Sequence, residues 1–114
     1  MKIRLAATWL VLTFAATGIA SPVMAGEIPE FVLTLKNHAY NPNTLKVPAG
    51  IKFRIRVTNA DATAEEFEST DLNRETVVLP NRSVLVYVGP LQPGTYGFFG
   101  DFHRGTAQGR LIAE

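Results

Sequence analysis

Two short segments concentrate the groups that could do chemistry. In Ala64-Glu65-Glu66-Phe67-Glu68-Ser69, three carboxylates fall within four residues, beside an aromatic ring of core type. As an extended strand, this segment would put Glu66 and Glu68 on one face, and Glu65 with Phe67 on the other. Carboxylates held that close repel one another unless a cation offsets them. The cluster also has a plain structural use, as a solvated strand edge whose charges deter aggregation. The second segment is Phe98-Phe99-Gly100-Asp101-Phe102-His103-Arg104-Gly105. Asp101 and His103 stand two apart, so an extended backbone points a carboxylate and an imidazole the same way. Such a pair can bind a divalent or trivalent metal, or the two groups can pair with each other. Which of Glu66 and Glu68 turns towards a shared site depends on register, and a one-residue bulge reverses the answer. His38, in Lys36-Asn37-His38-Ala39-Tyr40, precedes a turn and reads as an ordinary surface or loop histidine. Arg74 reads as an exposed ion-pair partner of Glu68, Asp71 or Glu75, an interaction worth about 0–1 kcal/mol. Phe98, Phe99 and Phe102 read as core and as an apolar rim around His103.

Other chemistries are excluded by what the chain lacks. Its 114 residues include no cysteine, which removes disulfides, zinc–cysteine sites, Fe–S clusters and thiol nucleophiles. There is no G-x-S-x-G elbow, no H-E-x-x-H and no phosphate-cradling glycine loop. Ser69 and Ser83 have no evident His–carboxylate relay in the sequence. Lys and Arg number 11 against 10 Asp and Glu, so no nucleic-acid partner is expected; one would need a clustered basic face.

The elements that must position these groups begin after an address. Lys2 and Arg4 precede a largely apolar, charge-free run from Leu5 to Ala20, and Val23-Met24-Ala25 offers a cleavage site. Residues 1–25 are therefore expected to be a secretory signal peptide, cut after Ala25. The apolar run falls short of the roughly 20 residues that span a bilayer, so no membrane insertion of the mature chain is expected. Residues 26–114 form the expected single domain. Without the leader, nine basic residues face ten acidic ones, and Met1, Met24 and Trp9 are gone, so no sulfur ligand remains.

This domain reads as all-β. Phe31, Leu33 and Leu35 alternate with Val32, Thr34 and Lys36, and Ile51, Phe53, Ile55 and Val57 alternate with Lys52, Arg54, Arg56 and Thr58. Such period-2 patterns belong to strands with one wet face. Further strands are expected at 76–79, 84–88, 95–99 and 110–113. Turn signals separate them at Asn41-Pro42-Asn43, Pro48-Ala49-Gly50, Leu79-Pro80-Asn81 and Gln92-Pro93-Gly94. Short strands with turns every 8 to 12 residues predict a Greek-key β-sandwich.

From Phe31 to Glu114 the chain resembles the cupredoxins. The resemblance rests on Tyr40-Asn41-Pro42-Asn43-Thr44-Leu45-Lys46-Val47-Pro48-Ala49-Gly50, on Phe53 to Asn59, and on Tyr96-Gly97-Phe98-Phe99-Gly100-Asp101-Phe102-His103. It implies that Glu65 stands at the family's first histidine ligand, Gly100 at its cysteine and His103 at its second histidine. The axial methionine falls near Ala107 or Gln108. Blue copper needs two imidazoles, a thiolate and a weak axial ligand, so a blue electron carrier is excluded. Thr63 to Ser69, Asp71 to Glu75, Gly89 to Gly94 and Phe98 to His103 are further similar to cysteine-less periplasmic proteins of bacterial ferrous iron uptake. That resemblance implies a periplasmic protein that binds iron or copper at Glu65, Glu66, Glu68, Asp101 and His103. It also implies assistance in Fe(II) oxidation, and work beside a membrane iron permease and a second periplasmic metal-binding protein. A periplasmic copper(II) carrier and a metal-free interaction domain are the alternatives.

Overall fold

The computed structural model describes residues 27–114, so the expected leader at 1–25 lies outside the described residues. Nine strands follow in order: β1 (Glu30–Lys36), β2 (Ala39–Asn41), β3 (Thr44–Val47), β4 (Phe53–Asn59), β5 (Glu65–Ser69), β6 (Arg74–Val78), β7 (Ser83–Val88), β8 (Gly94–Phe99) and β9 (Gln108–Ala113). One 3-10 turn, Asp101–His103, lies between β8 and β9. The strands form two mixed sheets, ordered β2-β1-β4-β7 and β3-β9-β8-β5-β6. The expected all-β sandwich is the observed architecture.

Alternation explains the layers. Leu33 and Leu35 of β1, and Phe53, Ile55 and Val57 of β4, are fully buried from one sheet. Phe67, Val78, Phe98 and Leu111 meet them from the other. Each such side chain contributes about 1.5–3 kcal/mol by leaving water. The wet face of β4 carries Arg54 and Arg56, whose guanidinium groups both donate to the Glu30 carboxylate of β1. β1 and β4 run parallel, with Phe31 opposite Ile55 and Leu33 opposite Val57. The chain between them switches sheets at the expected Asn41-Pro42-Asn43 turn, so β2 joins one sheet and β3 the other.

Some limits differ from the sequence reading. Ile51 is half exposed and precedes β4, because the turn at Gly50 (φ 75°) has only just closed there. Leu79 is likewise outside β6, beside Pro80, which has no N–H to give a strand. Arg74 pairs with no carboxylate: its guanidinium donates to the carbonyls of Tyr87 (2.9 Å) and Asn73 (2.9 Å). Asp71, one of its expected partners, instead accepts the Gly97 N–H at 2.8 Å.

At one end of the sandwich the core becomes aromatic. Tyr40 packs edge-on against Phe98, with ring centroids 5.0 Å apart, and against Phe67. Its hydroxyl donates to the Glu66 carbonyl at 3.1 Å, tying β2 of one sheet to β5 of the other. The chemically active residues gather at this end.

Candidate metal centre

β5 sorts the acidic cluster by parity. Phe67 and Ser69 enter the interior, and Glu65 goes with them, only 2% exposed. Glu66 and Glu68 turn together to the opposite face, as strand geometry requires. The register question is thus answered without a bulge: both leave Glu65.

A buried carboxylate needs partners, and Glu65 has three. Its Oε1 accepts the Glu66 N–H (2.9 Å) and the Phe102 N–H (3.0 Å). Its Oε2 meets Nδ1 of His103 in a short contact. A carboxylate opposite Nδ1 holds the proton on that nitrogen and leaves the Nε2 lone pair free. An outer carboxylate orients a metal-binding histidine in the same way.

His103 reaches Glu65 because the segment after β8 is a turn. The sequence expectation of an extended Asp101-Phe102-His103 is overturned here. Gly100 donates to the Ala107 carbonyl at 2.8 Å, and the His103 carbonyl accepts N–H bonds from Ala107 (2.8 Å) and Thr106 (3.1 Å). Arg104 bonds Asp101 three residues back, across the turn. In a 3-10 turn, positions two apart do not share a face. Asp101 therefore diverges from His103 and joins Glu66 and Glu68.

His38 lies in a turn with a partly exposed side chain, as a loop histidine should, but sequence reasoning missed what its ring meets. Asn37 (φ 53°) and His38 (φ 58°) form a two-residue connection between β1 and β2 with both residues left-handed. That is the hairpin turn whose twist suits paired strands. The Asp61 carboxylate accepts both turn N–H groups, from Asn37 at 2.8 Å and His38 at 2.9 Å. The His38 N–H bond, with that of Asn37 beside it, holds the Asp61 carboxyl below its ordinary range despite some desolvation. Asp61 is placed in turn by buried Asn59, whose amide donates to the carbonyls of Thr63 and Val78 and accepts the Asp61 N–H. So delivered, the His38 ring stacks on His103, with centroids 3.7 Å apart and planes 16° from parallel. Asparagine between two alternating runs was the available signal for this turn; the stacking partner 65 positions away left none.

His38, Glu65 and His103 each bring a donor atom within 4.8 Å of the others. Glu66, Glu68 and Asp101 form a second group by the same measure. The five residues expected to share one site thus divide between two, and His38 joins the first. Lone pairs of imidazole lie in the ring plane. Two stacked rings cannot both place one ion in plane, so chelation by both requires one ring to turn.

A blue-copper group does not fit these residues. Gly100, the position where the resemblance expects a thiolate, has no room for one: a Cβ built there would lie 2.6 Å from Cδ of Glu65 and 2.8 Å from the Ala107 Cβ. The Glu65 carboxylate fills the space itself. Imidazole nitrogen and carboxylate oxygen suit iron, copper(II) and zinc instead.

Glu66 is the anomaly of the outer group. It is 5% exposed, and its Oε1 has no hydrogen-bond partner. Burial, and then the carboxyls of Glu75, Glu68 and Asp101, push the Glu66 carboxyl up to about 7. A raised carboxyl pKa favours folding while the group stays protonated. That advantage is lost as pH rises from its ordinary value of 4.5 through about 7. In chelator-treated protein, Glu66→Gln should leave the melting temperature unchanged at pH 4 and raise it by about 5 °C at pH 8. Thermal melts at the two pH values check this, and a shift of equal size at both would contradict it.

A family model described as a cupredoxin-like domain matches residues 3–113. An uncharacterized protein of Rickettsia prowazekii (strain Madrid E) is 49% identical over 87 residues, which are 76% of this chain and 70% of that protein. Auracyanin A, a "blue" copper protein from Chloroflexus aurantiacus, has a TM-score of 0.69 at 17% identity, over 77% of this chain and 100% of its own. A purple cupredoxin from Nitrosopumilus maritimus has a TM-score of 0.59 at 17% identity, over 74% of this chain and 99% of its own. These two structural likenesses are likenesses of fold.

Proposed function

The chain belongs to the cupredoxin-like domain family, and from that premise we propose that it is a periplasmic metal-binding protein of ferrous iron uptake, with its metal centre at His38, Glu65 and His103. The supporting observation is their convergence from three separate elements, with donor atoms within 4.8 Å of one another. Glu65 orients His103 with Nε2 free, and His38 supplies a second imidazole. Iron is the cargo in this reading. Oxygen donors hold Fe(III) better than Fe(II), which favours loss of an electron from ferrous iron to dioxygen. The leader pattern at 1–25 supports export. A membrane iron permease and a second periplasmic metal-binding protein are the partners this reading calls for.

The paired imidazoles favour one rival, a copper(II) carrier, because copper(II) heads the affinity order at nitrogen and oxygen sites. Calorimetric titration of the exported protein with Fe(II), copper(II) and Zn(II) tests both. One ion should bind per chain at this centre, at least tenfold more weakly in His38→Ala and in His103→Ala. With diamagnetic Zn(II), the mutual ring-current shifts of the two imidazoles should collapse as the stack opens. Unchanged isotherms in both variants would refute the centre. Copper(II) binding without Fe(II) binding would move the conclusion to the carrier.

A further inference from the structure

We propose that Glu66, Glu68 and Asp101 form a second, separate cation site on the outer face of β5, built of oxygen donors alone. This does not rest on the reading of the histidine centre, although the two sites stand back to back on the same elements. β5 sends Glu65 inward and Glu66 with Glu68 outward, and the 3-10 turn sends His103 to the first and Asp101 to the second.

One carboxylate oxygen from each of the three residues lies within 4.8 Å of the others. Glu75 of β6 stands directly opposite Glu68 in the strand register, and its carboxyl also reaches that of Glu66 within hydrogen-bond range, adding a fourth carboxylate and leaving only Oε1 of Glu66 without a partner. Like charges opposed across a strand pair destabilise a sheet. Arg104 offsets part of this charge. It bonds Asp101, and its guanidinium lies over the Phe99 ring, 4.6 Å from the centroid. That leaves the acids in clear excess.

A charged strand edge alone would explain exposed carboxylates, which water can solvate. It does not explain Glu66. This side chain is nineteen-twentieths buried on the cluster side of β5, and its Oε1 is shut off from solvent with no hydrogen-bond partner. A buried carboxylate oxygen without a donor is costly unless a proton or a cation supplies the missing charge. With no nitrogen or sulfur in the group, the matching cation is a hard one, divalent or trivalent, of the kind that takes carboxylate oxygens.

The test uses Mn(II), Ca(II) and Tb(III), the last as a trivalent probe that stays in solution at neutral pH. Each is titrated calorimetrically into the exported protein, into the His38→Ala/His103→Ala double variant, and into Glu68→Gln and Asp101→Asn. Glu68 and Asp101 are not fully buried, so both carboxylate variants should keep the wild-type near-ultraviolet circular dichroism. At least one of the three ions should bind once per chain, with affinity within threefold of wild type in the double-histidine variant. Its affinity should fall at least tenfold in Glu68→Gln and in Asp101→Asn. Three results would each overturn the proposal: no binding of any of the ions, equal binding in the carboxylate variants, or loss of binding in the histidine variant. None of these refutes Fe(II) or copper(II) binding at the histidine centre, so the two readings fail separately.

Discussion

Replacing Glu65 with alanine is expected to destabilise the protein by about 3–5 kcal/mol, because three donors lose one buried acceptor and each left unsatisfied costs about 1–3 kcal/mol. Domains of this kind are stable by only about 5–15 kcal/mol, so the variant should be close to unfolding at 37 °C. The reason lies in what alanine leaves behind. The N–H groups of Glu66 and Phe102 and Nδ1 of His103 all end on this one carboxylate. Each would become a donor without an acceptor in a place where water is scarce. Glu65→Gln separates structure from chemistry. Its amide oxygen can keep both backbone N–H bonds, and its amide N–H can face the His103 ring. His103 must then carry its proton on Nε2, so that nitrogen is no longer free for a metal. The glutamine variant should lose only about 1–2 kcal/mol of stability. Its metal affinity should nevertheless fall about 10–100-fold, as when an orienting carboxylate is removed behind a metal-bound histidine. Urea titrations and calorimetry on both variants provide the check. Full metal binding in Glu65→Gln would show that the carboxylate does not set the tautomer.

Gly100→Ala should be nearly as damaging, at about 2–4 kcal/mol, where overpacking ordinarily amounts to 1–3 kcal/mol. The backbone at Gly100 has φ −99° and ψ 115°, which any residue adopts. Glycine is needed there for space alone. A methyl group would sit 2.6 Å from Glu65 Cδ, 2.7 Å from its Oε1 and 2.8 Å from Ala107 Cβ. Neither neighbour can give way, because Glu65 is held at both oxygens and Ala107 is fully buried. The melting temperature should fall by about 10–20 °C. Combining Gly100→Ala with Glu65→Ala should destabilise by at least ~1 kcal/mol less than the two separate effects added, because two of the three close contacts vanish with the carboxylate. Additive effects would mean that Glu65 does not occupy that space. Gly100→Cys should likewise fail to create a blue centre, since a thiol there would meet a carboxylate already in place.

The strands were legible because a period of two is a local property. Leu33, Leu35, Ile55 and Val57 announce their buried face without reference to any partner. Parity within β5 was legible for the same reason, and it correctly parted Glu65 from Glu66 and Glu68. The turn at Asp101–His103 was not legible. It depends on Arg104 bonding back to Asp101 and on N–H groups of Thr106 and Ala107 finding the His103 carbonyl. Arg74 misled in a similar way, since backbone carbonyls brought close by folding outcompeted the nearby carboxylates.

By itself, the sequence determined a β-sandwich without cysteine, and without methionine in residues 27–114, whose side-chain ligands there are oxygen and imidazole, because composition and alternation require no third dimension. Only the tertiary structure decided how those ligands divide. It drew His38 from a hairpin turn onto His103, set Glu65 between β5 and the 3-10 turn, and left Glu66, Glu68 and Asp101 as a group apart. Those choices depend on contacts between residues tens of positions apart. Their distances are fixed by packing Tyr40, Phe67 and Phe98 between the two sheets, and no local pattern encodes them.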